Sequence, residues 1–154
     1  MKKQPSSRII EKEKPLYIEG VFLYYDKENG NNRIYTKEIA KKIIEQFKEK
    51  PKGTVLGQCG YPENIVDLAK ISHVVKDMWI DEEDQSIKGK IEVLSETGSG
   101  EMLKELLQTN VELSVALRGT GTISNDNEVT NYNFISADIV PKSSFGGSLK
   151  ITDL

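Results

Sequence analysis

Alternation of apolar and charged side chains is the feature that most constrains the fold of this chain. In residues 87–94, Ile, Gly, Ile and Val alternate with Lys, Lys and Glu. A two-residue period places neighbouring side chains on opposite faces of a strand, so this segment predicts a half-buried strand. Other short segments rich in branched and aromatic residues also predict strands: 16–25, 71–80, 111–118, 120–124 and 128–140.

Helical spacing is confined to two places. Apolar residues between 39 and 47 recur every three or four positions, with Thr36 as the expected N-cap and Pro51 as the expected stop. A shorter helix is predicted to open at Ser99. We therefore expect an α+β fold, a mostly antiparallel β-barrel or sandwich with two or three flanking helices.

The length of 154 residues corresponds to one domain. Residues 1–15 are rich in charge and predict an N-terminal arm, and residues 16–154 form the expected domain. The net charge of −3 argues against nucleic acid as a partner. There is no apolar run long enough to span a membrane, and the charged start lacks the apolar stretch of a signal peptide.

The strand predicted over 111–118 carries unusual groups on one face. Ser114, Ala116 and Arg118 share that face and lead into Arg118-Gly119-Thr120-Gly121. Glycines in a turn there would let backbone N–H groups bind an oxyanion. The alternative interpretation is an ordinary strand with a solvated outer face and a hairpin turn.

The single histidine, His73, limits the available chemistry. It is either a structural residue within a strand or the only imidazole that a nucleophile could use. The single cysteine, Cys59, rules out an internal disulfide and would be a nucleophile only if His73 reached it. The acidic run Asp81–Asp84 lacks the features of a calcium loop, so we expect no metal and no cofactor.

Several segments, in one order, match the motifs of a known protease family. Asn29–Tyr35 fits an Asn-x-Asn-x-Arg-x-Tyr turn, Gly57–Pro62 stands at Gly-Glu-Leu-x-His-Pro, and Ser114–Gly121 stands at Gly-Val-Ser-Ser-Arg-Gly-x-Gly. The other matching segments are 16–22, 77–79, 89–94, 136–140 and 143–145. Together they resemble the prohead (procapsid maturation) proteases of tailed phages, serine proteases related in fold to herpesvirus assemblin, across residues 16–146. The resemblance implies an assemblin-like barrel.

The resemblance also assigns positions to the catalytic groups, and two of them carry the wrong side chain. The family histidine falls on Tyr61 and the nucleophilic serine on Ala116. A methyl group has no lone pair for attack on a carbonyl, and a phenol does not replace an imidazole as base at neutral pH. Asp138 stands where the third catalytic group is expected, and Arg118 and Gly119 stand in the oxyanion loop or substrate groove.

Two main functions remain open at this point. One is a catalytically inactive homologue that binds proteins during capsid assembly or in the virion. The other is an active serine endopeptidase that cleaves scaffold and capsid proteins, with a site rebuilt from Ser114 and His73. A non-viral binding domain is a third, weaker alternative. The resemblance implies capsid, scaffold or other virion proteins as partners, with a possible homo-oligomer, in the host cytoplasm during assembly and then in the prohead or virion.

Overall fold

The computed structural model describes residues 15–60, 67–109 and 111–141, and the backbone of 149–153. Over these residues it has seven strands, two α-helices and one short 3-10 helix. In chain order the elements are β1 (Leu16–Tyr24), α1 (Lys37–Glu49), β2 (Leu56–Gln58), the 3-10 helix (Leu68–Lys70), β3 (Ile71–Asp81), β4 (Ser86–Val93), α2 (Gly98–Gln108), β5 (Ser114–Ile123), β6 (Val129–Val140) and β7 (Leu149–Asp153).

The strands form two sheets, and every ladder is antiparallel. One sheet has five strands in the order β2-β3-β4-β1-β7, and the other is the two-stranded β5–β6 ribbon. The α+β, mostly antiparallel prediction is confirmed. The closed barrel is not, because in the described residues only one isolated parallel bridge, Cys59 with Ile139, joins the ladders of the two sheets. A barrel needs continuous pairing around its circumference.

The alternating segment forms β4, in the middle of the five-stranded sheet between β3 and β1. Its apolar residues Ile87, Ile91 and Val93 are buried, as the period predicted. Gly89 belongs to the same buried face because a β-carbon there would lie 2.3 Å from the ring of Phe22. The core therefore packs an aromatic ring directly over the backbone of β4.

Helix α1 begins and ends where the sequence predicted. The Thr36 hydroxyl accepts a hydrogen bond from the N–H of Ile39, and the helix stops before Pro51. Its Gln46 side chain is fixed to β6, where it donates to the Tyr132 carbonyl at 2.8 Å and accepts from the Phe134 N–H at 2.6 Å. Helix α1 is thereby held against the β5–β6 ribbon.

Helix α2 and β2 differ from the prediction. Thr97 caps α2 by accepting from the Gly100 N–H, so the helix starts at Gly98 and not at Ser99. Leu56–Gln58, for which the sequence predicted no strand, pairs with β3 as an edge strand. Three residues carry too little periodicity to be distinguished from a loop by pattern alone.

The predicted break between residues 118 and 120 is also wrong. A single strand, β5, runs through Gly119, and the register shifts there as in a β-bulge. A β-carbon on Gly119 would lie 2.5 Å from both the Asn133 carbonyl oxygen and the Tyr132 ring. The glycine therefore reflects a close approach between strands, and not a hairpin turn.

The predicted arm lies almost entirely outside the described residues, so it stays a prediction. Neither described α-helix, with 13 and 11 residues, is long and apolar enough to cross a membrane.

Candidate functional site

The β5–β6 ribbon carries the candidate site on one face. Ser114, Ala116 and Arg118 alternate along β5, with Asp138 opposite Ala116 and Ser136 opposite Arg118. The interpretation of this face as solvated is wrong, because Ser114, Ala116 and Arg118 expose only 5%, 7% and 6% of their surface. Polar side chains on a buried face need partners within the protein.

Asp138 finds its partners in two neighbouring strands. Its carboxylate accepts from Arg118 Nε at 2.9 Å and from Arg118 Nη2 at 2.5 Å. The backbone N–H of Gln58 in β2 donates to it at 3.0 Å. A two-pronged guanidinium pair with an extra backbone donor satisfies a buried carboxylate well. The Asp138 carboxylate therefore connects β6 to β5 and β2 through hydrogen bonds.

Strand β2 lies along β6 through side-chain and backbone contacts. The Ser136 hydroxyl donates to the Leu56 carbonyl at 2.6 Å, and the Gly60 N–H donates to the Ile139 carbonyl at 2.7 Å. Gly60, in the segment that matches the histidine motif of the protease family, therefore lies next to Ile139. Ile139 follows Asp138, the residue opposite Ala116. Tyr61, the next residue, lies outside the described residues, and its proposed role stays a prediction.

His73 is fully buried in β3, and both of its ring nitrogens have partners. Nε2 lies 2.8 Å from the Ala137 carbonyl oxygen and Nδ1 lies 2.7 Å from Ser72 Oγ. A carbonyl only accepts, so Nε2 carries the proton and Nδ1 accepts from the Ser72 hydroxyl. Burial lowers the pKa of His73 to about 4. The structure brings His73 to Ser72 and Ala137, and neither ring nitrogen bonds Ser114.

Ser72 and Cys59 continue this hydrogen-bonded chain. Cys59 Sγ donates to Ser72 Oγ at 3.6 Å, and Ser72 is fully buried. Burial raises the pKa of the Cys59 thiol, which disfavours the reactive thiolate. The Ser72 hydroxyl is buried away from substrate, and the Cys59 thiol stays protonated. Neither residue is therefore suited to act as a nucleophile with His73 as its base.

A cleft of about 240 Å³ opens beside Ala116. Gly119 also lines it, and Arg33, Tyr35 and Tyr132 form part of its walls. The two tyrosine rings meet edge to face, with centroids 5.8 Å apart. The cleft is thus a concavity whose lining residues include an alanine, two tyrosines and one arginine.

Arg118 and Gly119, both predicted to lie in the groove or oxyanion loop, occupy different surroundings in the structure. Gly119 lines the cleft, whereas the Arg118 side chain turns to Asp138 and is not among the cleft-lining residues. The side chain of Arg118 therefore holds strands together.

The loop before α1 sets the position of Arg33. The Asn29 side-chain oxygen accepts from the N–H groups of Asn31 and Arg33, at 2.9 Å and 3.1 Å. The Ile34 N–H donates to the Asn127 carbonyl at 2.8 Å, which fixes the loop to the β5–β6 turn. The Asn-x-Asn-x-Arg motif therefore builds a wall of the cleft.

Sequence reasoning assigned no role to Gln58, Ser72, Tyr35, Tyr132 or the Ala137 carbonyl. Tyr35, Gln58 and Ala137 stand in segments that matched the family motifs, but their contacts with residues more than 60 positions away have no local pattern. In the part of the chain that the structure describes, no three His, Cys, Asp or Glu side chains are grouped to hold a metal ion.

Comparison with known proteins identifies the family. The chain matches the prohead core protein serine protease family over residues 3–141. It is 29% identical over 117 residues to the prohead core protein protease of Enterobacteria phage T4, an alignment that covers 73% of this chain and 54% of that protein. The chain thus spans about half the length of this relative.

A solved structure is similar as well. The bacteriophage T4 capsid assembly protease, gp21, matches with a TM-score of 0.72 and 27% identity, covering 82% of this chain and 81% of that one. The resemblance inferred from the sequence is confirmed: the chain belongs to the prohead core protein serine protease family.

Proposed function

We propose that this chain is a catalytically inactive member of its family that acts as a protein-binding component in capsid assembly or in the virion. The observation that carries the proposal is Ala116, which lines the cleft and stands at the position that the family motif gives to the nucleophilic serine. Loss of a nucleophile typically lowers the rate of such an enzyme by several orders of magnitude.

The neighbouring groups support the same proposal. Asp138 accepts from Arg118 and Gln58, and His73 is buried with a lowered pKa and two occupied ring nitrogens. A general base needs contact with the group that it deprotonates and a pKa near the working pH. His73 meets neither condition toward Ala116 or Ser114.

The cleft supports the binding half of the proposal. It lies beside β5, whose residues 120–123 are exposed, and an extended peptide can pair with such an edge while its side chains enter the cleft. Capsid, scaffold or other virion proteins are the partners we propose, met in the host cell during assembly and retained in the prohead or virion. A homo-oligomer is compatible with the same edge.

The alternative is an active endopeptidase that cleaves scaffold and capsid proteins, with Ser114 as nucleophile. Its support is the Ser114 hydroxyl, which lies on the same strand face as Ala116. Positions two apart on a strand are separated by about 6.5–7 Å, whereas a misplacement of about 1 Å already slows catalysis markedly. This distance makes the inactive function the better supported one.

A serine-directed fluorophosphonate probe distinguishes the two functions. We expect no labelling of the purified chain, because Ala116 offers no nucleophile, and no cleavage of a capsid-derived peptide. An active serine protease run in parallel confirms that the probe reacts. Labelling of Ser114 that His73→Ala abolishes would overturn the inactive function.

A further inference from the structure

A cluster of lysines lies around a second cleft, away from the Ala116 site. The cleft has a volume of about 160 Å³, and Lys48, Lys50, Lys52 and Lys76 line it, with Asp77 as the one acidic residue. The whole chain carries a net charge of −3. The cleft therefore concentrates positive charge on a chain whose overall charge is negative. We refer to these five residues and their cleft as the lysine cleft.

The lysines have little internal compensation. Within the described part of the chain, no ion pair joins Lys48, Lys50 or Lys52 to an acidic side chain, and Lys76 lies 3.7 Å from Glu92. Lys48 lies in the last turn of α1, where a positive charge stabilises the C-terminal end of the helix dipole. Lys52 and Lys76 lie beyond the helix, so this stabilisation does not explain their presence.

The backbone under the lysine cleft is held in place. The Thr54 hydroxyl donates to the Pro51 carbonyl at 2.6 Å, and the Val75 N–H donates to the Val55 carbonyl at 2.9 Å. Gly53 has φ +78°, which lets the chain turn back from α1 toward β3. The lysines are thus presented on a preformed turn, which lowers the entropy cost of binding.

The floor of the lysine cleft is apolar. Val55 and Val75 are buried beneath it, and the half-buried ring of Phe47 lines it while packing edge to face on Phe134 at 6.3 Å. An apolar floor surrounded by lysines is complementary to a protein segment that has carboxylates on either side of one apolar side chain. A nucleic acid would use the cations but leave this floor without a matching group.

We propose that the lysine cleft is a docking site for an acidic segment of a partner protein, with one apolar side chain in the cleft and carboxylates on the lysines. This site is separate from the Ala116 cleft, so the proposal holds whether or not the chain is a protease. Docking here leaves the Ala116 cleft open for a second segment.

Fluorescence anisotropy with a labelled synthetic peptide tests the proposal. The probe is a fluorescein-labelled heptapeptide of Glu and Asp with one central Leu. We expect saturable binding that weakens as salt rises, and a loss of roughly tenfold or more in affinity for the Lys48→Glu/Lys52→Glu variant. Replacing the central Leu of the peptide by Ser is also expected to weaken binding.

Lys42→Glu/Lys70→Glu is the matched control, since both lysines are exposed, neither lines the cleft and the charge change is the same. We expect its affinity to stay within about twofold of the unmodified chain. Circular dichroism melting verifies that each variant folds, and Lys48→Gln/Lys52→Gln serves in place of the Glu pair if that pair does not. Absence of binding, an equal loss in the control, or tighter binding of a twelve-residue oligothymidine than of the peptide would overturn the proposal.

Discussion

Gly57 of β2 lies opposite His73 of β3, at the point where the imidazole crosses to the Ala137 carbonyl of β6. A β-carbon on Gly57 would lie 2.2 Å from His73 Nε2 and 2.3 Å from the Ala137 oxygen. The His73–Ala137 hydrogen bond therefore requires a residue without a side chain at position 57. The structure gives this glycine of the Gly-x-x-x-x-Pro segment a packing role.

Gly57→Ala is expected to lower the free energy of unfolding by about 1–3 kcal/mol, because the new methyl must displace a buried ring or a strand backbone. Urea denaturation measures the change. Gly98→Ala is the control: nothing lies within 4 Å of a β-carbon there, and alanine suits the first turn of α2. Equal stability of the two variants would contradict the packing role of Gly57.

At the scale of elements, one carboxylate joins three strands. Asp138 of β6 pairs with Arg118 of β5 and accepts from the Gln58 N–H of β2, with both charged side chains at most 5% exposed. Removing one partner of such a buried pair leaves the other charge in a poorly hydrated environment. The pair therefore matters for strand assembly even if the chain catalyses nothing.

Asp138→Asn is expected to destabilise the chain by about 3–5 kcal/mol, because the buried Arg118 keeps its charge and loses the carboxylate of Asp138. Glu82→Gln removes a partner from the exposed Lys37–Glu82 pair and is expected to change stability little. Urea unfolding followed by tryptophan fluorescence compares the two. A small, equal effect of both changes would show that the buried pair is dispensable.

At the scale of the whole molecule, His73 links the five-stranded sheet to the β5–β6 ribbon. The ring stays neutral in the folded chain because burial lowers its pKa to about 4, while the more distant charges of Asp138 and Arg118 act in opposite directions. A protonated ring could no longer accept from Ser72. The unfolded chain, with an ordinary imidazole, binds a proton near pH 6.5.

Stability is therefore expected to be complete above about pH 6.5 and to fall as the pH approaches 4, by about 1.4 kcal/mol per pH unit below 6.5. Urea unfolding at several pH values between 7.5 and 5 measures this slope. Because the chain has one histidine, NMR of its imidazole gives the pKa directly. An imidazole that titrates near 6.5 in the folded chain would contradict the buried, doubly bonded state.

Local pattern predicted the elements whose signals lie within a few residues. The alternation over 87–94 gave β4, and Thr36 with Pro51 gave the limits of α1. The same reasoning missed β2 and split β5 at Gly119, where glycine serves a close strand contact. The face of β5 with Ser114, Ala116 and Arg118 was found, but its burial was not.

The family and the absence of a serine at position 116 follow from the amino-acid sequence alone, because both depend only on which residue stands at which position. What covers each face depends on the tertiary packing: Asp138 pairs with Arg118 twenty residues away, and His73 bonds a carbonyl 64 residues away. Periodicity indicates on which face of an element a side chain lies. It carries no information on which distant group satisfies that side chain, because this depends on how the two sheets pack together.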